Sequence, residues 1–154
     1  MIDLNNLPDP DGFRHRCPVQ LRFNDVDILG HVNNTVYFSF YDTGKAYYFK
    51  QARTTQIDWM HVDTVIANVN CAYISPIVFG ENIEVLTRCE SIHEKSFRLL
   101  QMLRDTGSGQ IKSVCETVMV SYDPASRKST PLSPLWRKAL TDYEGRDLSA
   151  QTKN

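Results

Sequence analysis

The chain has 154 residues, 42% of them apolar, and a formal net charge of −1. That length fills one domain with a proper core and is too short for two, while the near-neutral balance lacks the electrostatic footprint of a general nucleic-acid binder. No basic-then-apolar run opens the chain and no apolar stretch approaches the roughly 20 residues of a membrane span, so a soluble cytoplasmic protein is the expectation. Cys17, Cys71, Cys89 and Cys115 sit singly in separate segments, which suits reduced thiols better than a disulfide scaffold.

Residues 1–16 are polar and broken by Pro8, Pro10 and Gly12, and they predict a loose N-terminal lead-in. Over 17–23, Val19, Leu21 and Phe23 alternate with polar residues at the period of a half-buried strand. A polar loop, FNDVDILGHVN, follows. From 34 to 52 no proline occurs and seven of the sixteen aromatic residues fall between Tyr37 and Phe49. Tyr37, Phe40, Tyr41, Gly44, Tyr47 and Tyr48 share one side at helical spacing, with Phe38 and Phe49 elsewhere on the surface; a helix apolar over most of its circumference must be wrapped in protein. Alternating and β-branched patterns over 62–74, 82–92, 96–104 and 110–122 predict four strands, the last two joined by the DTGSG turn at 105–109. A short helix is expected over 134–143 and a disordered tail over 144–154. One strand, one enveloped helix and then four strands give an α+β order: a long antiparallel sheet wrapped around a central helix, forming a single domain over 17–143.

The string Phe23-Asn24-Asp25-Val26-Asp27-Ile28-Leu29-Gly30-His31-Val32-Asn33-Asn34, running from a strand into an aromatic helix, resembles the hotdog-fold acyl-CoA thioesterases, in particular the 4-hydroxybenzoyl-CoA thioesterase-like family. The D-x-D-x-x-G-H-V-N-N pattern with Tyr37 three positions on is similar to the corresponding segment of acyl-carrier-protein thioesterases. The resemblance covers roughly 19–143. It implies a hydrolase that cleaves an acyl-CoA or acyl carrier protein thioester, built as a homodimer or tetramer with sites between subunits, and needing no cofactor beyond the coenzyme A of its substrate. It also implies that Asp27 is the catalytic carboxylate and that a backbone N–H at or near Asn34 polarises the substrate carbonyl. Where many members carry Tyr or His at that position, this chain has Asn34.

The residue types fit that chemistry. Asp27 can activate water as a general base or attack the carbonyl itself; taken alone it could equally be a loop acid or helix cap. A helix starting near Asn33 or Asn34 offers unpaired N–H groups and a positive dipole end to an oxyanion, and either asparagine is also a good N-cap. Gly30 supplies a tight or left-handed backbone. His31 can order the loop or serve the leaving thiolate as an acid, and Asp25 reads as structural. Tyr37 belongs to the core or the acyl pocket. Lys95 and Ser96, in the HEKSF segment, resemble a family stretch that contacts the phosphates of coenzyme A, with Arg127 and Lys128 as second candidates. No metal-ligand spacing occurs, nor does a G-x-S-x-G elbow or a phosphate-binding loop ending in lysine. A non-catalytic module that binds acyl thioesters is the alternative, with a hotdog dehydratase or isomerase behind it.

Overall fold

The computed structural model describes residues 2–53 and 63–150. In chain order its elements are β1 (His15–Pro18), α1 (Asn34–Ala52), β2 (Thr64–Tyr73), β3 (Ile83–Ile92), β4 (Ser96–Asp105), β5 (Ile111–Asp123), β6 (Lys128–Ser129) and α2 (Pro134–Glu144). Two 3₁₀ turns, Pro10–Gly12 and Phe23–Asp25, flank β1. All strand pairings are antiparallel, in the order β1-β3-β4-β5-β2, with the short β6 against β5. The expected α+β arrangement, one long helix against a curled antiparallel sheet, is the one observed.

Helix α1 begins where its cap places it: the Asn33 side chain accepts from the Thr35 amide at 2.9 Å. Its inner face carries Tyr37, Phe40, Tyr41, Gly44, Tyr48 and Phe49, all buried, and it lies against β3 and β1. Gly44 marks the closest approach, since a Cβ there would sit 2.4 Å from Val85 Cγ1 of β3. Tyr47, expected on the buried face, is half exposed, because the wide apolar surface of the helix exceeds what one sheet and α2 cover. Lys45 is instead buried and folds back onto Asp42 at 2.8 Å.

Four segments differ from the sequence reading, the first being the lead-in expected to be loose over 1–16: Phe13 is buried with Leu86, Leu100 and Met102, and Ile2 and Leu7 pack against that cluster. The first strand lies at 15–18, not 17–23: Pro18 has no N–H for the ladder, and after one last bond from Val19 N to Ile83 O the chain leaves the sheet. Val19 and Leu21 still pack on the core, but Phe23 is 82% exposed. The strand expected over 62–74 is observed over 64–73, Val62 lying outside the described residues, and it is an edge strand that is mostly exposed. It pairs with β5 and not with its chain neighbour β3, so nothing among the described residues covers its outer edge. The tail expected to be loose is packed as far as Ala150. Gly145 ends α2 in the left-handed region at φ 66°, Leu148 is buried, and Ile92 exchanges backbone bonds with Leu148 and Ala150.

Candidate active site

The polar loop ahead of α1 is held almost wholly by backbone. Asp25 stabilises the approach: its carboxylate accepts from Arg22 N at 2.7 Å and its carbonyl from Asn33 N at 2.8 Å. Val26 and Val32 pair across an isolated bridge, and the chain between them reverses in a tight turn. Within it Asp27 N donates to His31 O at 2.9 Å and Gly30 N donates to Asp27 O at 3.0 Å. Gly30 takes φ 77°, with open space around the position of a Cβ; its contribution is the turn's conformation rather than room for a neighbour. The Asp27 carboxylate accepts from Leu29 N through Oδ1 at 2.9 Å, which fixes its direction while Oδ2 stays uncommitted among the described residues.

That turn is docked on the segment after β2. Val32 N donates to Ile77 O at 2.8 Å and His31 bridges to Val78. The result is a groove of about 400 Å³ lined by Asp27, His31, Asn34, Tyr37, Tyr73 and Ser75, among others. The Tyr73 hydroxyl donates to Asn34 O at 3.1 Å, and its ring meets Tyr37 edge-on at 5.0 Å. Burial raises the Tyr37 phenol, and loss of hydration followed by the neighbouring Cys71 thiol pushes Tyr73 up to about 12. Both rings therefore stay protonated near neutrality and act as donors or walls, not as bases.

At the start of α1 the amides are unequally used. Asn33 N, Thr35 N and Val36 N donate to Asp25 O, Asn33 Oδ1 and Asn33 O respectively, which leaves the Asn34 N–H without an acceptor among the described residues. A free amide at a helix N-terminus and a carboxylate on residues that line one groove are the groups that stabilising an oxyanion and supplying a nucleophile require.

Of the residues singled out from sequence, Asp27, His31, Asn34 and Tyr37 line one groove. Gly30 and Asn33 support it from behind as turn residue and cap. His31 holds the loop through its backbone, its carbonyl accepting from Asp27 N and its backbone bridging to Val78. Lys95 and Ser96 stand elsewhere: Ser96 pairs with Val120 of β5, whereas the groove's Tyr73 pairs with Ser113. Seven residues of strand, about 23 Å at 3.3 Å each, separate them within one chain. Sequence reading missed Tyr73 and Ser75. The Ser75-Pro76 break that ends β2 was the available signal, and only the long-range pairing with 31–32 gives it meaning.

Comparison with known proteins identifies the family of the fold. A family model described as the thioesterase-like superfamily matches residues 21–140. A thioesterase from Thermus thermophilus, solved with coenzyme A and zinc, superposes with a TM-score of 0.80 at 29% identity, covering 90% of this chain and 99% of that one. The long-chain acyl-CoA thioesterase FadM of Escherichia coli is 23% identical over 125 residues, 79% of this chain and 93% of its own length. The Bacillus subtilis protein YsmA is 24% identical over 111 residues, 72% of this chain and 74% of its own. The chain belongs to the thioesterase-like superfamily, with the hotdog fold and the thioester hydrolase class that this membership carries.

Proposed function

We propose that this protein hydrolyses acyl thioesters of coenzyme A, with Asp27 supplying the general base or nucleophile and the Asn34 N–H the oxyanion donor. The observation that carries the reading is that Asp27 and Asn34, the first residue of α1, line one groove. A thioester carbonyl lying between them would be attacked from the Asp27 side, directly or by water that Asp27 deprotonates. The carbonyl oxygen would gain charge toward the helix N-terminus, where one such donor is worth about 10²–10³ in rate. Collapse then breaks the C–S bond and releases the thiol and the free acid. The coenzyme A bound in the Thermus thermophilus relative and the acyl-CoA specificity in the name of the Escherichia coli one favour coenzyme A over a carrier protein as the thiol.

A second copy of the chain completes this reading. Among the described residues, strand β2 presents an unpaired edge with Val65, Ile66, Val69 and Tyr73 exposed, continued by Ile74 and Val78. An edge of that length and apolarity is a docking surface or an aggregation liability. Antiparallel pairing of two β2 edges about their middle would bring the Thr64 end of one beside the Tyr73 end of the other, and with it the partner's 95–96 segment toward the groove. Sedimentation velocity is expected to give a dimer or tetramer; a monomer at working concentration would leave the phosphate role of Lys95 and Ser96 without a geometry.

The test of the activity is thiol release from short, long and aromatic acyl-CoA substrates by wild type and Asp27→Asn. Turnover that collapses in the variant while substrate still binds is the expected result. Binding without turnover in both proteins would replace the enzyme with an acyl-thioester-binding module.

A further inference from the structure

We propose that Lys112 of β5 is a positioning residue for this hydrolysis: its ammonium anchors the 74–82 segment that holds the Asp27 turn in place. The inference deepens the reading of the groove given above and rests on it.

Lys112 is 2% exposed, and Nζ donates to three acceptors: Glu81 Oε1 at 2.7 Å, Pro76 O at 3.0 Å and Gln110 Oε1 at 3.0 Å. An ammonium has three N–H groups, so every one is used. Two of the acceptors belong to the 74–82 segment, and the lysine's own carbonyl accepts from Ile74 N at 2.9 Å and Ser75 N at 3.1 Å. One residue thus grips the segment at its beginning, middle and end.

From there the restraint passes to the reacting groups without a gap. Glu81 Oε2 accepts from Val78 N at 2.9 Å; Val78 bridges to His31 and Ile77 O accepts from Val32 N; His31 O accepts from Asp27 N. The same segment supplies Ile74, Ser75 and Pro76 to the groove wall. An apolar side chain at position 112 could fill the space but could not set three directions at once. Removing the charge would leave Glu81 Oε1 and the Pro76 carbonyl without their ammonium donor, freeing the segment to relax toward water.

A simple stabilising ion pair would give the same contacts, so the experiment separates the two roles. Lys112→Met, Lys112→Arg and Glu81→Gln are compared with Leu140→Ala, a core truncation at the opposite end of α1, all at a temperature where each is folded. Two quantities are read: kcat and KM on the acyl-CoA that wild type prefers, and amide hydrogen exchange at Asp27 and Val32.

Positioning predicts that Lys112→Met loses about 10–100-fold in kcat, the scale of a misplacement near 1 Å, with a much smaller change in KM. It also predicts faster exchange at both amides, partial rescue by Lys112→Arg and the same direction in Glu81→Gln, with Leu140→Ala lowering Tm alone. Unchanged kcat and unchanged exchange in Lys112→Met, with only Tm reduced, would overturn the proposal. Should Lys112→Met fail to fold, the isosteric Glu81→Gln decides by the same readouts. If wild type hydrolyses no acyl-CoA, the functional reading fails by itself, and exchange at Asp27 and Val32 still answers whether Lys112 holds the turn.

Discussion

The two ends of α1 are buried by opposite means. At its N-terminal half Tyr37, Phe40 and Tyr41 pack on Ile77, Ile83, Val85 and Leu103, but the loop ahead of it is held by backbone bonds and leaves Ile28 fully exposed and Leu29 75% exposed. At its C-terminal half Tyr48 and Phe49 enter a closed cluster with Phe97, Leu99, Trp136, Leu140 and Leu148. There the Glu144 carboxylate accepts from both the Tyr48 hydroxyl at 2.7 Å and Cys89 N at 2.8 Å, and Arg53 lies over the Trp136 ring at 4.7 Å. Packed aromatic area secures one end, so the other can leave a carboxylate and an amide uncommitted. A site needs groups whose bonding is unfinished, and such groups cost stability that the sealed end offsets.

The contrast can be broken most severely at Asp27. Asp27→Asn is expected to lower kcat by about 10²–10⁴, the range for a general base, with Tm nearly unchanged because the amide oxygen still accepts from Leu29 N. A large loss of Tm would instead make Asp27 a structural acid. At the sealed end the signs reverse: Leu140→Ala is expected to cost about 2–5 kcal/mol in denaturant unfolding, with kcat per folded molecule as in wild type. A matching fall in kcat would mean that the two ends are coupled through α1.

The smallest effect concerns pH. His15 is buried edge-on against Tyr48, centroids 5.7 Å apart, and burial holds its imidazole below the ordinary 6.5. The unfolded chain takes up this proton near 6.5 while the native chain resists it. Stability is therefore full above 6.5 and falls as the pH drops from there to the native value, by at most about 1.4 kcal/mol per unit. Urea midpoints measured from pH 7 to 5 should decline, and His15→Leu should flatten the slope. Asp105, held down to about 2 by hydrogen bonds from the Ser108 hydroxyl and amide, acts in a lower window and does not confuse the reading.

Much of this was legible in the chain itself. Helix α1 lies at 34–52 as its proline-free aromatic run predicts, with Asn33 the cap of the two asparagines offered, and β3, β4 and β5 fall within a residue of their alternation. Local chemistry decides those elements. Pairings between distant segments decide the rest: Phe23 fits a strand pattern but follows the exit at Pro18, and the apolar residues of β2 mark an uncovered edge that periodicity cannot tell from a covered one. In the candidate groove, Asp27 and Asn34 were visible because both lie close to the start of α1. Tyr73, Ser75 and Lys112 were not, since they reach the groove only through bonds spanning some 30 to 50 residues of chain, which no local pattern encodes.

The separation of the groove from Lys95 and Ser96 along β5 has a genetic consequence. If the two lie in one site only when contributed by different copies, a chain dead at Asp27 and a chain dead at 95–96 should complement each other. Mixed assemblies would contain one site with both lesions and one with neither, so two inactive alleles expressed together would recover activity that neither has alone.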